Sequence, residues 1–382
     1  MALSIKPYIE NKERIHLIGI GGVSMNSLAE LLLSKGVPVS GSDRLRTDVT
    51  ARLEALGAAI TYEHRPENVE GASLIVRTAA VHDENPEIVR AHELGIPVME
   101  RAEAWGHIMR DYDNVVCLSG THGKTTSTSM MTMMTIEAQM DPTVMVGSNL
   151  PAIGGTLRIG GKGCFVAESC EYTNSFLRFA PTVSVILNVE EDHLDFFKDI
   201  NDIIHSFHEF AELTPMNGLV VVNHDDPNAM RAVAHIDRRI RTFGTTSDAD
   251  VYPTEVRDEN GYYRFTVNID GKEYAKVALS VPGRHNMLNA LACCAAAEFL
   301  GVPSEAAEKG LNKFTGSSRR FQLVGRMPNG ATVVDDYAHH PSEMKATLST
   351  AKEMHFDRIL CAFQPHTYTR TKALFPEFVD AL

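Results

Sequence analysis

Residues 115–126, VVCLSGTHGKTT, join an apolar run to the start of a long helical pattern. Glycines allow backbone N–H groups to approach phosphate oxygens closely, and a helix N-terminus adds partial positive charge. In such a loop Lys124 would neutralise nucleotide phosphates and the Thr125 hydroxyl would bind Mg²⁺. The GxxGKT spacing is shorter than the general GxxxxGK[ST] loop, so a glycine-broken turn without a ligand remains an alternative. A strand, this loop and a helix predict an α/β fold with a largely parallel sheet.

A second glycine-rich turn lies nearer the N-terminus. The β-branched run Arg14–Ile20 leads into GIGGVS at residues 19–24, and a helical pattern follows over Ser24–Lys35. With Asp43 downstream this turn resembles a dinucleotide fingerprint, although Ser24 occupies the place of the third glycine. It favours a nucleotide diphosphate on the first helix without implying nicotinamide, and a tight turn without a ligand stays open.

Two more polar side chains follow predicted strands of the second system. Glu168 ends the strand Cys164–Ala167, and His193 lies in NVEEDHLD at residues 188–195, after the next strand. Parallel strands would bring both side chains to the sheet edge that carries the phosphate loop. Together with the Thr125 hydroxyl they could hold a hard cation, whereas residues 190–195 taken alone are typical of a solvated acidic turn.

Four later clusters are polar where a core would be apolar. Asn286 and Asn289 share one face of an Ala-rich helix, either as ligand contacts or as helix-capping residues. Arg319 and Arg320 offer paired guanidinium groups suited to phosphate. The other two clusters follow predicted strands and indicate a site: DDYAHHP at 335–341 and QPHTYTR at 364–370.

The order of strands and helices predicts three units, with residues 101–114 as a linker. Tyr262–Val267 and Tyr274–Leu279 are expected to form an antiparallel hairpin. After residue 320 we expect two βα units: strand 331–334, helix 342–353, strand 358–363 and a helix from Thr371. Two such units would leave an apolar sheet edge open, so the chain is expected to stop inside its third domain.

Composition narrows the class of protein. The 382 residues carry a formal charge of −13, which argues against a nucleic-acid or anionic-membrane surface. The N-terminus shows no secretion signal, and the longest apolar run, 290–297, is too short to span a bilayer. Six scattered cysteines without a CxxC pair suit a reducing cytoplasm. A cytoplasmic protein, monomeric or homodimeric, is expected.

Seven motifs, in order along the chain, resemble the Mur ligases of peptidoglycan synthesis: IHLIGIGGVSMNSLAELL (15–32), GTHGKTT (120–126), NVEEDHLD (188–195), PGRHNMLNALA (282–292), GSSRRFQ (316–322), DDYAHHPSE (335–343) and FQPHTYTRT (363–371). The resemblance covers essentially the whole chain. It implies a Rossmann-like UDP-binding domain over 1–112, a central P-loop ATPase domain with a mostly parallel sheet over 113–320, and an incomplete Rossmann-like ligase domain over 321–382.

The resemblance also implies roles for individual residues. The catalytic set would be Lys124, His122, Glu168, His193 and Arg370, and the Mg²⁺ ligands Thr125, Glu168 and His193. ATP would contact Gly120, Thr121, His122, Gly123, Lys124, Thr125, Thr126, Asn286, Asn289, Arg320 and Asp336. The substrates would contact Gly19, Gly21, Gly22, Ser42, Asp43, Tyr337, His366 and Arg370.

Two departures from the family pattern stand out. Residues 167–176, AESCEYTNSF, keep Glu168 and Glu171 of the pattern AEADESDASF but lose its aspartates. Thr367 stands where many members have arginine, which leaves carboxylate recognition to Arg370.

The implied activity is the ATP-driven addition of L-alanine to UDP-N-acetylmuramate through an acyl phosphate. A related ligase that joins a peptide to the same sugar nucleotide is one alternative. An NAD-dependent oxidoreductase would use only the first glycine loop, and a nucleotide-driven switch only the second.

Overall fold

The computed structural model describes residues 3–382. The first unit opens with the short helix α1 (Lys6–Glu10) and is built on a five-stranded parallel sheet of order β3-β2-β1-β4-β5. Its strands are β1 (Ile15–Ile18), β2 (Val39–Ser42), β3 (Ala59–Thr61), β4 (Leu74–Arg77) and β5 (Val98–Glu100). Its further helices are α2 (Val23–Ser34), α3 (Asp48–Ala55), α4 (Pro86–Glu93) and α5 (Arg101–Met109).

The second unit is a ten-stranded sheet of order β15-β14-β13-β12-β11-β10-β6-β9-β7-β8. Neighbours from β13 to β7 pair in parallel, and the β7–β8 and β13–β14–β15 edges are antiparallel. The strands are β6 (Asn114–Ser119), β7 (Thr143–Leu150), β8 (Gly155–Arg158), β9 (Cys164–Glu168), β10 (Val183–Ile186), β11 (Leu219–Asn223), β12 (Ile240–Phe243), β13 (Val251–Glu259), β14 (Tyr262–Ile269) and β15 (Lys272–Ala278). The predicted parallel sheet and the β14–β15 hairpin are confirmed.

Alternation along the central strands separates two apolar cores. Val116 and Leu118 of β6 face the helices α6 (Lys124–Glu137), α9 (Arg284–Phe299) and α10 (Ser304–Lys313). Val115 and Cys117 face the other core, which includes residues of α7 (Ile200–Glu212) and α8 (Pro227–Ala232) and continues into the first unit. Because one core crosses between the units, they are packed together firmly.

The expected linker over 101–114 is wrong, because most of it is α5. Its first turn has a capping box between Glu100 and Glu103, and Trp105 is fully buried. A Cβ on Gly106 would lie 1.8 Å from the Arg178 carbonyl oxygen of the second unit, so the helix packs there backbone to backbone. The small residues of α5 suit that close contact. Because these residues are small, the stretch shows only a weak apolar pattern in the sequence.

The third unit differs from two βα repeats. β16 (Gln322–Arg326) and β17 (Thr332–Asp335) pair antiparallel and precede α11 (Pro341–Glu353). Residues 358–363 form no strand, and Leu360 is 78% exposed, so this stretch buries too little apolar surface to offset the entropy of ordering. The expected final helix is two helices that meet at Leu374, α12 (Tyr368–Ala373) and α13 (Phe375–Ala381).

None of the helices within residues 3–382 combines the length and apolar character that crossing a membrane requires.

Candidate active site

The loop between β6 and α6 has the tight geometry that its glycines predict. Gly120 and Gly123 have φ of +146° and +83°, which L side chains rarely adopt. A Cβ on Gly123 would lie 2.7 Å from Asn289 Oδ1 of α9. The His122 amide donates to Asn188 Oδ1 at 2.7 Å, while the first amides of α6 have no partner within the helix. The loop can therefore cradle an anion.

Lys124 lies at the first position of α6 and faces the end of β9. Its Nζ donates to Glu171 at 2.9 and 3.1 Å and to the Thr121 carbonyl oxygen at 3.0 Å. Burial alone would lower the Lys124 pKa, but the Glu171 carboxylate outweighs burial and raises it. The lysine is therefore a fixed cation beside the loop.

The predicted Mg²⁺ ligands lie at the carboxyl edge of the central sheet. Thr125 Oγ1 donates to Glu168 Oε1 at 3.0 Å, and the Gly147 amide donates to Glu168 Oε2 at 2.6 Å. His193 Nε2 lies 3.9 Å from Glu171, and its ring stacks on Tyr172 at 4.4 Å. Hydroxyl and carboxylate oxygens beside a phosphate cradle are the donors that Mg²⁺ prefers, so Thr125 and Glu168 fit the ion.

A cavity of about 230 Å³ opens on one side of the loop. Its lining includes Gly123, Thr126, Asn286, Asn289, Arg320 and Asp336. Asn286 Nδ2 donates to the Pro282 carbonyl oxygen, and Asn289 Nδ2 donates to Asn286 Oδ1 at 3.2 Å. The N-cap of α9 is Gly283 and no described side chain caps the helix, so the capping interpretation is wrong, whereas both asparagines line the cavity.

A second cavity, of about 360 Å³, adjoins the same loop. Its lining includes Thr121, Lys124, Thr125, Glu168, His193, Tyr337, His366 and Arg370. Arg370 is 9% exposed and is held by Asp192, with Nε and Nη2 at 2.7 and 3.1 Å from the two carboxylate oxygens. Burial would raise the Asp192 pKa, but Arg370 and His193 lower it to about 2. Arg370, the arginine predicted to bind a substrate carboxylate, is thus paired with Asp192 of the second unit.

His122 lies between two carboxylates, one from each of two units. Its Nε2 lies 3.4 Å from Glu190 Oε2, and its Nδ1 lies 3.4 Å from Glu343 Oε1. Burial would lower the His122 pKa, but these carboxylates outweigh burial and raise it to about 9. Near neutral pH the imidazole is therefore cationic.

The first glycine loop lies at the carboxyl edge of the first sheet. The Gly21 amide donates to Asp43 Oδ2 at 2.8 Å, and a Cβ on Gly19 would lie 3.0 Å from Thr78 Cγ2. Ser42 is fully buried, its hydroxyl donates to Glu87 at 2.6 Å, and its carbonyl oxygen accepts from the Gly19 and Ile20 amides. Gly22 ends the loop as the residue before α2.

The two glycine loops are connected through β7. Ser24, at the start of α2, donates to Met145 Sδ at 3.3 Å. Two residues after Met145 in β7, the Gly147 amide donates to Glu168. The two predicted anion sites therefore flank one strand of the central sheet.

Several carboxylates that the structure places here have no role that the sequence motifs predict. Glu171, Asp192, Glu190 and Glu343 hold Lys124, Arg370 and His122. Glu171, Glu190 and Asp192 lie just beyond strands, in the segments 167–176 and 188–195 whose polar residues the motifs include. The signal for Glu343 was its position three residues after His340, which forms a capping box at the start of α11.

Three family models match the chain. The catalytic domain of the Mur ligase family matches residues 14–113, the Mur ligase middle domain matches 118–297, and the Mur ligase glutamate ligase domain matches 319–382. The chain belongs to the Mur ligase family, and its fold is the α/β Mur ligase fold that its motifs indicated. Family membership excludes the oxidoreductase and switch alternatives.

Individual relatives are more specific. The chain is 46% identical to UDP-N-acetylmuramate–L-alanine ligase of Clostridium novyi over 97% of its own length and 81% of the relative's. It is 48% identical to the enzyme of the same name from Acetivibrio thermocellus, over 97% and 79%. The crystal structure of UDP-N-acetylmuramate–alanine ligase from Thermotoga maritima superposes with a TM-score of 0.81 at 32% identity, covering 95% of this chain and 83% of that one.

Proposed function

We propose that this protein joins L-alanine to UDP-N-acetylmuramate at the expense of ATP, in cytoplasmic peptidoglycan precursor synthesis. The observation that carries the proposal is the edge where the loop 120–126, the Thr125–Glu168 pair and Arg370 line one cavity. Relatives named for this activity, 46–48% identical over nearly the whole chain, support it.

Thr125 and Glu168 would hold Mg²⁺, and the loop amides with Lys124 would hold the phosphates of ATP. When bound, ATP would transfer its γ-phosphoryl group to the muramate carboxylate, leaving ADP and an acyl phosphate. The amine of L-alanine would then attack the acyl carbon, and phosphate would leave. Fixed donors and cations beside such a site offset the repulsion between anions without reorganising.

The first unit would bind the UDP part of the sugar nucleotide at Gly19, Gly21, Gly22 and Asp43. Tyr337, His366 and Arg370 would contact the muramate carboxylate and the amino acid, with Asp192 orienting the Arg370 guanidinium. Closing the third unit over the loop would exclude water from the activated carboxylate.

The test mixes the protein with UDP-N-acetylmuramate, L-alanine, ATP and Mg²⁺ and follows phosphate release and product mass. We expect phosphate release that needs both acceptor substrates and a product heavier by one alanyl residue. Phosphate release from ATP alone would contradict the proposal. So would a product formed only when an L-alanyl peptide replaces alanine, which would assign the chain to the peptide-joining alternative.

A further inference from the structure

Two histidines and a glutamate converge beside the phosphate loop, at the junction of the central and third units. They are His122 of the loop, Glu190 from the segment after β10, and His340, which caps α11. One potential ligand atom from each lies within 4.8 Å of those of the other two. Three chain segments thus present two imidazoles and a carboxylate to one point.

The separations suit a small ion. Glu190 Oε2 lies 3.4 Å from His122 Nε2 and 3.9 Å from His340 Nδ1. Ligand atoms held about 2.0–2.2 Å from a tetrahedral Zn²⁺ ion lie about 3.3–3.6 Å apart. The two separations from Glu190 are therefore within a few tenths of an ångström of that spacing, and the histidine nitrogens lie within 4.8 Å of each other.

The second nitrogen of each histidine already has a partner. His122 Nδ1 faces Glu343 at 3.4 Å, and His340 Nε2 donates to the Glu191 carbonyl oxygen at 3.0 Å. The Ser342 hydroxyl donates to Glu190 Oε2, the oxygen that faces both histidines, and a carboxylate oxygen keeps a second lone pair for an ion. Metal-binding histidines almost always use their second nitrogen in this way.

One inward-facing nitrogen has no partner within residues 3–382, and the other has a lone pair that now caps α11 and that an ion would take over. His122 Nε2 is buried and has no hydrogen-bond partner among the described residues. His340 Nδ1 accepts from the Ser342 amide at 3.3 Å, so it is the unprotonated nitrogen of that ring.

We propose that His122, Glu190 and His340 form a site for one transition-metal ion of the Zn²⁺ type, separate from the Mg²⁺ position at Thr125 and Glu168. Two imidazoles and a carboxylate select Zn²⁺ or Co²⁺ over Mg²⁺, which prefers oxygen ligands. The ion replaces the proton on His122 Nε2, and water takes the fourth position. The bound ion ties α11 to the phosphate loop and so restrains the third unit.

The test titrates the protein with Co²⁺ in excess Mg²⁺, follows the visible absorption bands of tetrahedral Co²⁺, and then displaces Co²⁺ with Zn²⁺. We expect one Co²⁺ per chain and a melting temperature that rises with Zn²⁺. Loss of the bands in excess Mg²⁺ would overturn the proposal, because the ion would then occupy the Mg²⁺ position.

His340→Asn removes the imidazole but keeps a good helix-capping side chain, so the fold is preserved. This variant and Glu190→Gln should each weaken Zn²⁺ binding by at least about tenfold. His339→Asn, a neighbouring histidine outside the set, is the matched control and should bind as the unmodified protein does. Equal Zn²⁺ affinity in His340→Asn and the unmodified protein would refute the site.

Discussion

Lys124 Nζ lies 2.9 Å from Glu171 Oε2, and the two side chains are only 15% and 3% exposed. The cation of the phosphate loop is thus held by a carboxylate from the segment after β9. A buried lysine without such a partner would carry a large desolvation penalty. The pair holds the positive charge beside the cavity, because the Glu171 carboxylate offsets the desolvation penalty of the lysine.

Glu171→Gln should therefore destabilise the protein, because it leaves the Lys124 ammonium without its counter-charge. Removing one partner of a buried pair costs about 3 kcal/mol or more. Urea unfolding at neutral pH measures the change in the free energy of unfolding. The control is Glu191→Gln, an exposed carboxylate nearby, which should change it little. Equal stability of the two variants would contradict the role of Glu171 as the counter-charge of the buried lysine.

Lys124→Ala should abolish ATP and ADP binding while leaving UDP-N-acetylmuramate binding nearly intact, since the two ligands are assigned to different units. Isothermal titration calorimetry with each ligand measures both affinities. Lys162→Ala, which removes an exposed lysine before β9, serves as the control for a simple loss of charge. Equal loss of both affinities in Lys124→Ala would contradict the division of labour between the units.

Asp192→Asn should loosen the third unit, because Arg370 would lose its bidentate partner while remaining buried. At about 3 kcal/mol for such a loss, amide exchange in α12 should accelerate on the order of 100-fold. Hydrogen–deuterium exchange read by mass spectrometry resolves this segment. Asp357→Asn, an exposed carboxylate of the same unit, is the control and should leave exchange in α12 unchanged. Unchanged protection in Asp192→Asn would show that other contacts dock the third unit.

Glu87 should make the first unit sensitive to acid. Burial would raise its pKa, but hydrogen bonding with His16, Ser42 and Asn68 outweighs burial and lowers the pKa to about 2. Because the folded pKa is below the unfolded value, the stabilisation is complete above about pH 4.5 and disappears as pH falls towards 2.

The comparison is between the unmodified protein and Glu87→Gln, unfolded in urea and followed by the fluorescence of Trp105, the single tryptophan. We expect a stability difference of about 3 kcal/mol near pH 6 that shrinks towards pH 2. Glu93→Gln, exposed at the end of the same helix, should show no such difference. A stability difference that does not change with pH would mean that Glu87 stabilises the protein by packing rather than by its charge.

Sequence reasoning succeeded where local chemistry fixes the backbone. The positions of β6, β9 and β10 follow from short apolar runs, and the glycines at 120 and 123 required the conformations that the structure has. It failed for α5, whose small residues pack against a distant backbone, and for residues 358–363, whose apolar pattern lacks enough burial to form a strand.

The amino-acid sequence alone determined the two glycine loops, the parallel arrangement of the central strands and the edge at which the polar residues collect. Only the tertiary structure decided which carboxylate holds which cation, as in the pairs Lys124–Glu171 and Asp192–Arg370. The hydrophobic period of a strand or helix, and the residues that a turn requires, are set within a few neighbouring residues. Ion pairs between residues up to 178 positions apart depend instead on how whole units pack, and no local pattern records that packing.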